Sequence, residues 1–160
     1  MDCLYETKTA LTEEEFVRYN LAVTRKVRRI RGIIYGVMML VLVLEAILLR
    51  VLFPAMVAAV FAVLWFAVIR PLSIRSLKKT FASNKLMKDE EAVFLFYDTY
   101  FVEKTEHGEG RIPYEQLDRI IETPQNMYLM IAQNQGYSLV KENFPEGLET
   151  FLRGLPVKHV

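Results

Sequence analysis

Residues 32–49 read GIIYGVMMLVLVLEAILL, and beyond Arg50 residues 51–69 read VLFPAMVAAVFAVLWFAVI. Each run is close to the roughly 20 residues that cross about 30 Å of hydrocarbon at about 1.5 Å per residue. As one continuous helix the two would extend about 57 Å, nearly twice the bilayer core, so the chain must turn between them. Arg50 and Pro54 supply the turn: the charge seeks the interface, and proline suits a turn or the first turn of a new helix. The sequence therefore predicts two membrane-spanning helices, 32–49 and 51–69, folded as a hairpin.

The flanking cations predict its orientation. Arg25, Lys26, Arg28, Arg29 and Arg31 precede the first run, and Arg70, Arg75, Lys78 and Lys79 follow the second. Arg50 alone lies at the connection. This bias places the tight turn outside and both termini in the cytoplasm, the topology of a multi-pass protein of the cell membrane. Trp65 and Phe66 fall near the inner end of the second run, where an aromatic belt is expected. A cleaved signal peptide fits less well, because its apolar core would begin nearer the start, without the acids Glu13, Glu14 and Glu15 ahead of it. A buried hairpin of a soluble protein would need a polar face, which these runs lack.

The 160 residues are 52% hydrophobic with a mean hydropathy of +0.18. Both averages conceal a division, since the flanks have the charge density of soluble protein. Residues 1–89 carry 14 Lys and Arg against 7 Asp and Glu, and residues 90–160 carry 6 against 12. The basic half is the half with the apolar runs, as expected beside anionic lipid. A lone cysteine, Cys3, excludes an internal disulfide and a cysteine-based zinc cluster.

Around the hairpin the period changes. Residues 4–9 read as a strand. Thr12 with Glu15 forms a capping box for a helix, with Glu13 and Glu14 at the favourable end of its dipole. Phe16, Asn20, Val23, Val27 and Ile30 form an apolar stripe at three- and four-residue spacing, predicting one helix that runs unbroken into the first span and packs on the C-terminal domain. Residues 72–88 are helical in character and basic. Six strands then follow, at 91–97, 100–104, 110–114, 119–123, 127–132 and 137–141, separated by turn-forming residues such as Asp98-Thr99 and Asn134-Gln135-Gly136. A short helix, 146–152, closes the chain. The expected fold class is an α+β membrane protein: a two-helix transmembrane hairpin plus a small antiparallel β half-barrel closed by a C-terminal helix. Four parts are expected: 1–31, a strand and amphipathic helix; 32–70, the hairpin; 71–89, a basic connecting helix; 90–160, the cytoplasmic β domain.

One stretch carries a family resemblance. Arg111-Ile112-Pro113-Tyr114-Glu115-Gln116-Leu117-Asp118-Arg119-Ile120 resembles the I-x-Y/W-x-x-I-x-x-I strand of YcxB-like proteins. Residues Met127-Tyr128-Leu129-Met130-Ile131 and Leu139-Val140-Lys141-Glu142-Asn143-Phe144 resemble that family's strand, turn and I-P-K-x-x-F ending, with Val140 where proline is common. The resemblance implies an order of parts ending in a domain similar to bacterial pleckstrin-homology-like (PH-like) modules, and it implies no reaction.

Chemistry is sparse. Glu45 is the one acid inside the apolar runs, where a carboxylate is costly and is a functional suspect by default. Arg50 lies near enough in sequence for a snorkelled ion pair, making Glu45 and Arg50 the candidate intramembrane polar pair. His107 and His159 fall in no ligand pattern, and no G-x-S-x-G elbow occurs. The glycines of His107-Gly108-Glu109-Gly110 lead into a strand, as a hairpin turn does, and not into the helix that a phosphate loop needs. No catalytic, cofactor-binding or metal residue is expected, and no cofactor.

The acidity of residues 90–160 argues against a lipid-headgroup pocket there and against nucleic acid. The expected function is a membrane-anchored interaction or regulatory module without catalytic activity. Its partners would be the bilayer and a protein, or a second copy, bound through the acidic β domain. Tyr97, Tyr100, Phe101, Tyr128 and Tyr137 are candidates to line the binding face. Two alternatives stand beside it: a component of a membrane transport or enzyme system using Glu45, and a self-protection protein against membrane-active peptides.

Overall fold

The computed structural model describes residues 3–65, 67, 70–83 and 91–160. The chain forms two compact units, one of Met1–Val23 with Phe81–Val160 and the other of Thr24–Thr80.

The first unit is built by strands with inward and outward alternation. β1 (Tyr5–Ala10), β2 (Glu91–Phe96), β3 (Tyr100–Thr105) and β4 (Gly108–Pro113) form an antiparallel sheet in that order. The N-terminal strand therefore belongs to the β unit, joined to a partner more than 80 positions away, with Tyr5 opposite Phe96 and Ala10 opposite Glu91. The second sheet has the order β7-β6-β5-β8, from β5 (Arg119–Glu122), β6 (Asn126–Met130), β7 (Gly136–Val140) and β8 (Lys158–His159). Its pairs are antiparallel except for β8, which adds parallel to β5.

The two sheets meet where β1 lies against β7. Thr7 and Thr9 point inward, only 2% and 4% exposed. The Thr7 hydroxyl donates to the Asn143 carbonyl at 2.9 Å, and the Val140 N–H donates to the Thr9 hydroxyl at 3.4 Å. Two buried hydroxyls are thus satisfied by the neighbouring backbone, as burial demands.

Strand β6 explains much of the packing. All five residues of NMYLM are buried, because the strand is covered on both faces. Met127 and Leu129 face one cluster, with Phe96, Phe101, Leu139 and the α5 (Leu148–Arg153) residues Leu148 and Leu152. Tyr128 and Met130 face the other way, where Tyr19, Ala22 and Val23 of helix α1 (Glu13–Val23) cover them. At about 1.5–3 kcal/mol for each large apolar side chain buried, these two layers hold the unit together.

The second unit contains α2 (Arg25–Leu49) and α3 (Phe53–Leu64). No residue of α2 is buried. It is long and apolar enough to cross a membrane, and none of its most apolar window is buried in the protein's own fold. The chain turns where the sequence predicts: Arg50 ends α2 in the left-handed region, φ 48° and ψ 37°, with its N–H directed to the carbonyls of Ala46 and Ile47. Pro54 sits in the first turn of α3, where its missing N–H costs nothing.

Several expectations change. Of the second apolar run the α-helix described covers Phe53–Leu64, about 18 Å, so among the described helices one meets the length of a span. Residues 66, 68 and 69 at the end of that run, Phe66 of the aromatic belt among them, lie outside the described residues. The basic connecting segment is helical as α4 (Arg70–Ser83), and its predicted continuation over 84–88 lies outside them too. The N-terminal helix does not run on unbroken: it stops at Val23 and restarts after Thr24. With that break, Val27 and Ile30 leave the buried stripe and are 41% and 48% exposed. Residues 90–160 do not form one half-barrel by themselves: they supply three strands of the first sheet and all four of the second, and β1 completes the first.

Candidate functional site

Within the β unit, α1 and the two sheets leave a cavity of about 200 Å³. Phe94 and Tyr137 form an edge-to-face wall, with ring centroids 6.1 Å apart. Phe16 and Tyr19 of α1 stand against it, and Thr9, Glu103, Thr105 and Ser138 add polar groups to its lining. Phe16 is itself held by Phe81, with ring centroids 5.6 Å apart. Each wall comes from a different part of the chain, so the cavity exists only once the ends have come together. Burial pushes the Tyr137 hydroxyl above its ordinary range, and the Glu103 carboxylate pushes it the same way. Tyr137 therefore stays a neutral donor and acceptor.

Next to this cavity lies a buried polar contact. Asn126 is fully buried, and its side-chain NH2 donates to Oε2 of Glu15 and, at 3.4 Å, to the Ser138 hydroxyl. Glu15 Oε1 accepts from Arg18 at 2.6 Å, and the Glu15 N–H donates to the Thr12 hydroxyl at 3.3 Å. The capping-box residue Glu15 thus also fixes α1 to β6. Among the described residues Asn126 Oδ1 has no hydrogen-bond partner. Tyr128, beneath Tyr19 at 5.6 Å between centroids, has its hydroxyl pushed up to about 12, first by burial and then by the Glu15 charge.

A second cluster ties β5 to the C-terminal segment. Glu122 Oε1 accepts from Lys141 at 2.6 Å and from Arg153 at 2.5 Å. Glu149 accepts from the same two cations at 2.8 and 2.7 Å. The Arg153 and Lys141 hydrogen bonds hold the Glu122 carboxyl at about 2. Two acids and two bases balance, which makes the cluster a clasp and leaves no unneutralised charge for a ligand.

The sequence candidates are dispersed. Glu45 and Arg50 are both exposed, and no ion pair joins them among the described residues. Phe101 and Tyr128 are buried in the two opposite core layers. Tyr97 and Tyr100 stack on each other at 4.7 Å, with the Arg111 guanidinium 3.6 Å above the Tyr100 ring. Only Tyr137 of the five lines the cavity. Phe16, Tyr19, Phe94 and Glu103 were not singled out as site residues, and their spacing gives no local signal, because long-range pairing assembles them. No group of three or more His, Cys, Asp or Glu able to hold a metal occurs among the described residues.

The cavity lining thus combines aromatic walls, hydroxyls and one carboxylate. No curated protein and no solved structure matches the chain. Residues 96–155, running from the end of β2 past α5, match the family model of the YcxB-like proteins, the family that the sequence resembles.

Proposed function

We infer that the protein is a membrane-anchored, cytoplasmic interaction or regulatory module, with α2 and α3 as its anchor and the β unit as its receptor. The observation that carries this is the exposure of α2: a 25-residue apolar helix with no buried residue. Water does not tolerate so large a bare apolar surface, whereas hydrocarbon does. The unequal cations beside the apolar runs support an inner location for both termini. The second apolar run would complete the hairpin, with its inner end beyond Leu64.

The cavity supports a receptor role for the β unit. Its aromatic walls suit an apolar or cationic side chain of a partner protein, with the Glu103 carboxylate favouring a cation. A domain of this acidity repels phosphate-rich ligands and selects basic segments. A PH-like module would share the arrangement of strands followed by a helix, and the acidity of residues 90–160 argues against a basic headgroup pocket in it.

The test has two arms. Washing membranes at alkaline pH should leave the full chain in the pellet, and its release into the supernatant would remove the anchor. Crosslinking in intact cells should capture a protein partner or a second copy, and Tyr137→Ala with Phe16→Ala should lower the yield several-fold. A yield unaffected by both substitutions would exclude the cavity as the receptor.

A further inference from the structure

A second cavity lies within the helical unit. It is a groove of about 360 Å³ between α2 and α3, lined by Gly32, Gly36 and Met39 on one side and Phe61, Ala62 and Trp65 on the other. The Tyr35 and Trp65 rings meet across it at 4.3 Å between centroids. A Cβ added at Gly32 or at Gly36 would meet nothing within 4 Å. Glycines at this spacing let another apolar chain approach a helix backbone closely, and among the described residues nothing occupies that approach.

What fills it is decided by charge. At 3.6 residues per turn, Arg25, Arg28 and Arg29 fall in the same roughly 100° sector of α2 as Gly32, Gly36 and Met39. Arg28 and Arg29 stand about one turn before the groove, and Arg25 about two. All three are exposed. No acid occurs in α2 until Glu45, more than three turns beyond Gly32. A second copy docked through this groove about an axis along the membrane normal would bring its own three arginines against these, like charge against like. A molecule with an apolar tail and an anionic head matches both parts.

We propose that the α2–α3 groove holds an acyl chain of an anionic phospholipid, whose phosphate is bound by Arg25, Arg28 and Arg29. This rests on the anchor reading above and adds a site to it. The arginine side chains, aliphatic along their stems, lie along the groove's rim while their guanidinium groups stay at headgroup level. Phosphate suits the guanidinium fork, which offers paired donors. The Tyr35–Trp65 pair closes one wall against the chain. The lipid becomes a fixed part of the anchor and fills the gap left by two glycines.

The experiment uses the full chain, purified in detergent and offered phosphatidylglycerol and phosphatidylcholine in equal amounts, with native mass spectrometry counting the retained lipids. The expected result is one phosphatidylglycerol retained at about tenfold excess over phosphatidylcholine. The triple change Arg25→Gln, Arg28→Gln, Arg29→Gln should abolish the preference. Gly36→Leu should remove the retained lipid while the melting temperature of the β unit stays unchanged, and Gly36→Ala should weaken retention less. Equal retention of the two lipids, or a preference that survives either the triple change or Gly36→Leu, overturns the proposal. So does a wild-type dimer that Gly36→Leu dissociates, which would give the groove to a second copy. Alkaline washing of membranes carrying the same chain separates the two readings. Release of the chain overturns the anchor and this site together, whereas a retained chain without lipid preference overturns this site alone.

Discussion

Glu122 sits where two cations converge, and its ionisation is correspondingly easy: Arg153 and Lys141 lower its carboxyl from an ordinary 4.5 to about 2. A carboxyl with a depressed folded value adds stability that is fully present above its unfolded value, near 4.5, and that is lost as pH falls towards 2. The melting temperature of the full chain should therefore drop across that window, and Glu122→Gln should flatten the drop. At neutral pH the same substitution should cost on the order of 1 kcal/mol, since the cluster is partly exposed and screened. Asn126 makes a different kind of prediction. Its amide donates to the buried Glu15 carboxylate, so Asn126→Asp would set two carboxylates against each other at a site closed to water. A loss of about 2–4 kcal/mol follows. Combining it with Glu15→Gln restores one carboxylate and one amide, and should recover most of the loss in a double-mutant cycle of thermal melts. If the double substitution melts as low as Asn126→Asp alone, the two residues are not coupled.

Among the elements, the strands of the C-terminal half were the most legible. Alternation and turn residues such as Asp98-Thr99 mark strand ends within a residue or two of where β2 and β3 stop and start. β8 was not legible, because two residues, Lys158 and His159, carry no period. The sheet order was equally hidden: nothing local tells β1 to pair with β2 across the whole helical insertion. The break after Val23 carries no sequence signal, because neither proline nor glycine stands at Thr24. The cavity was the least legible feature, since Phe16, Phe94, Glu103 and Tyr137 converge only through those long-range pairings. The glycines Gly32 and Gly36 did carry a sequence signal in their four-residue spacing. Gly136 tests the β6–β7 hairpin. A Cβ there would meet the Leu129 carbonyl oxygen at 2.5 Å and the Met130 Cα at 2.9 Å, both backbone atoms of the neighbouring strand. Gly136→Ala should destabilise the β unit by about 1–3 kcal/mol, a fall of roughly 4–24 °C in melting temperature for a unit of this size. An unchanged melt would show that the hairpin has room that the structure denies.

For the molecule as a whole, the two ends of the chain make one β unit, and an apolar helical unit is inserted between them. The insertion explains the cancelling charges, because the basic residues cluster beside the apolar runs and the acidic ones spread over the strands. It also places a helical unit within a β unit of the same small chain, which enters the helical unit at Thr24 and leaves it at Thr80. The central claim, an anchor with its turn outside and both ends inside, is open to one direct measurement. Cys3 is the protein's lone cysteine and is exposed, which makes it a built-in label for the N-terminal end. Replacing it with serine and introducing Arg50→Cys moves the label to the turn. With a membrane-impermeant maleimide, Cys3 should label only after the cells are permeabilised, and Arg50→Cys should label in intact cells. Labelling of Cys3 in intact cells, or protection of Arg50→Cys until permeabilisation, would contradict the account.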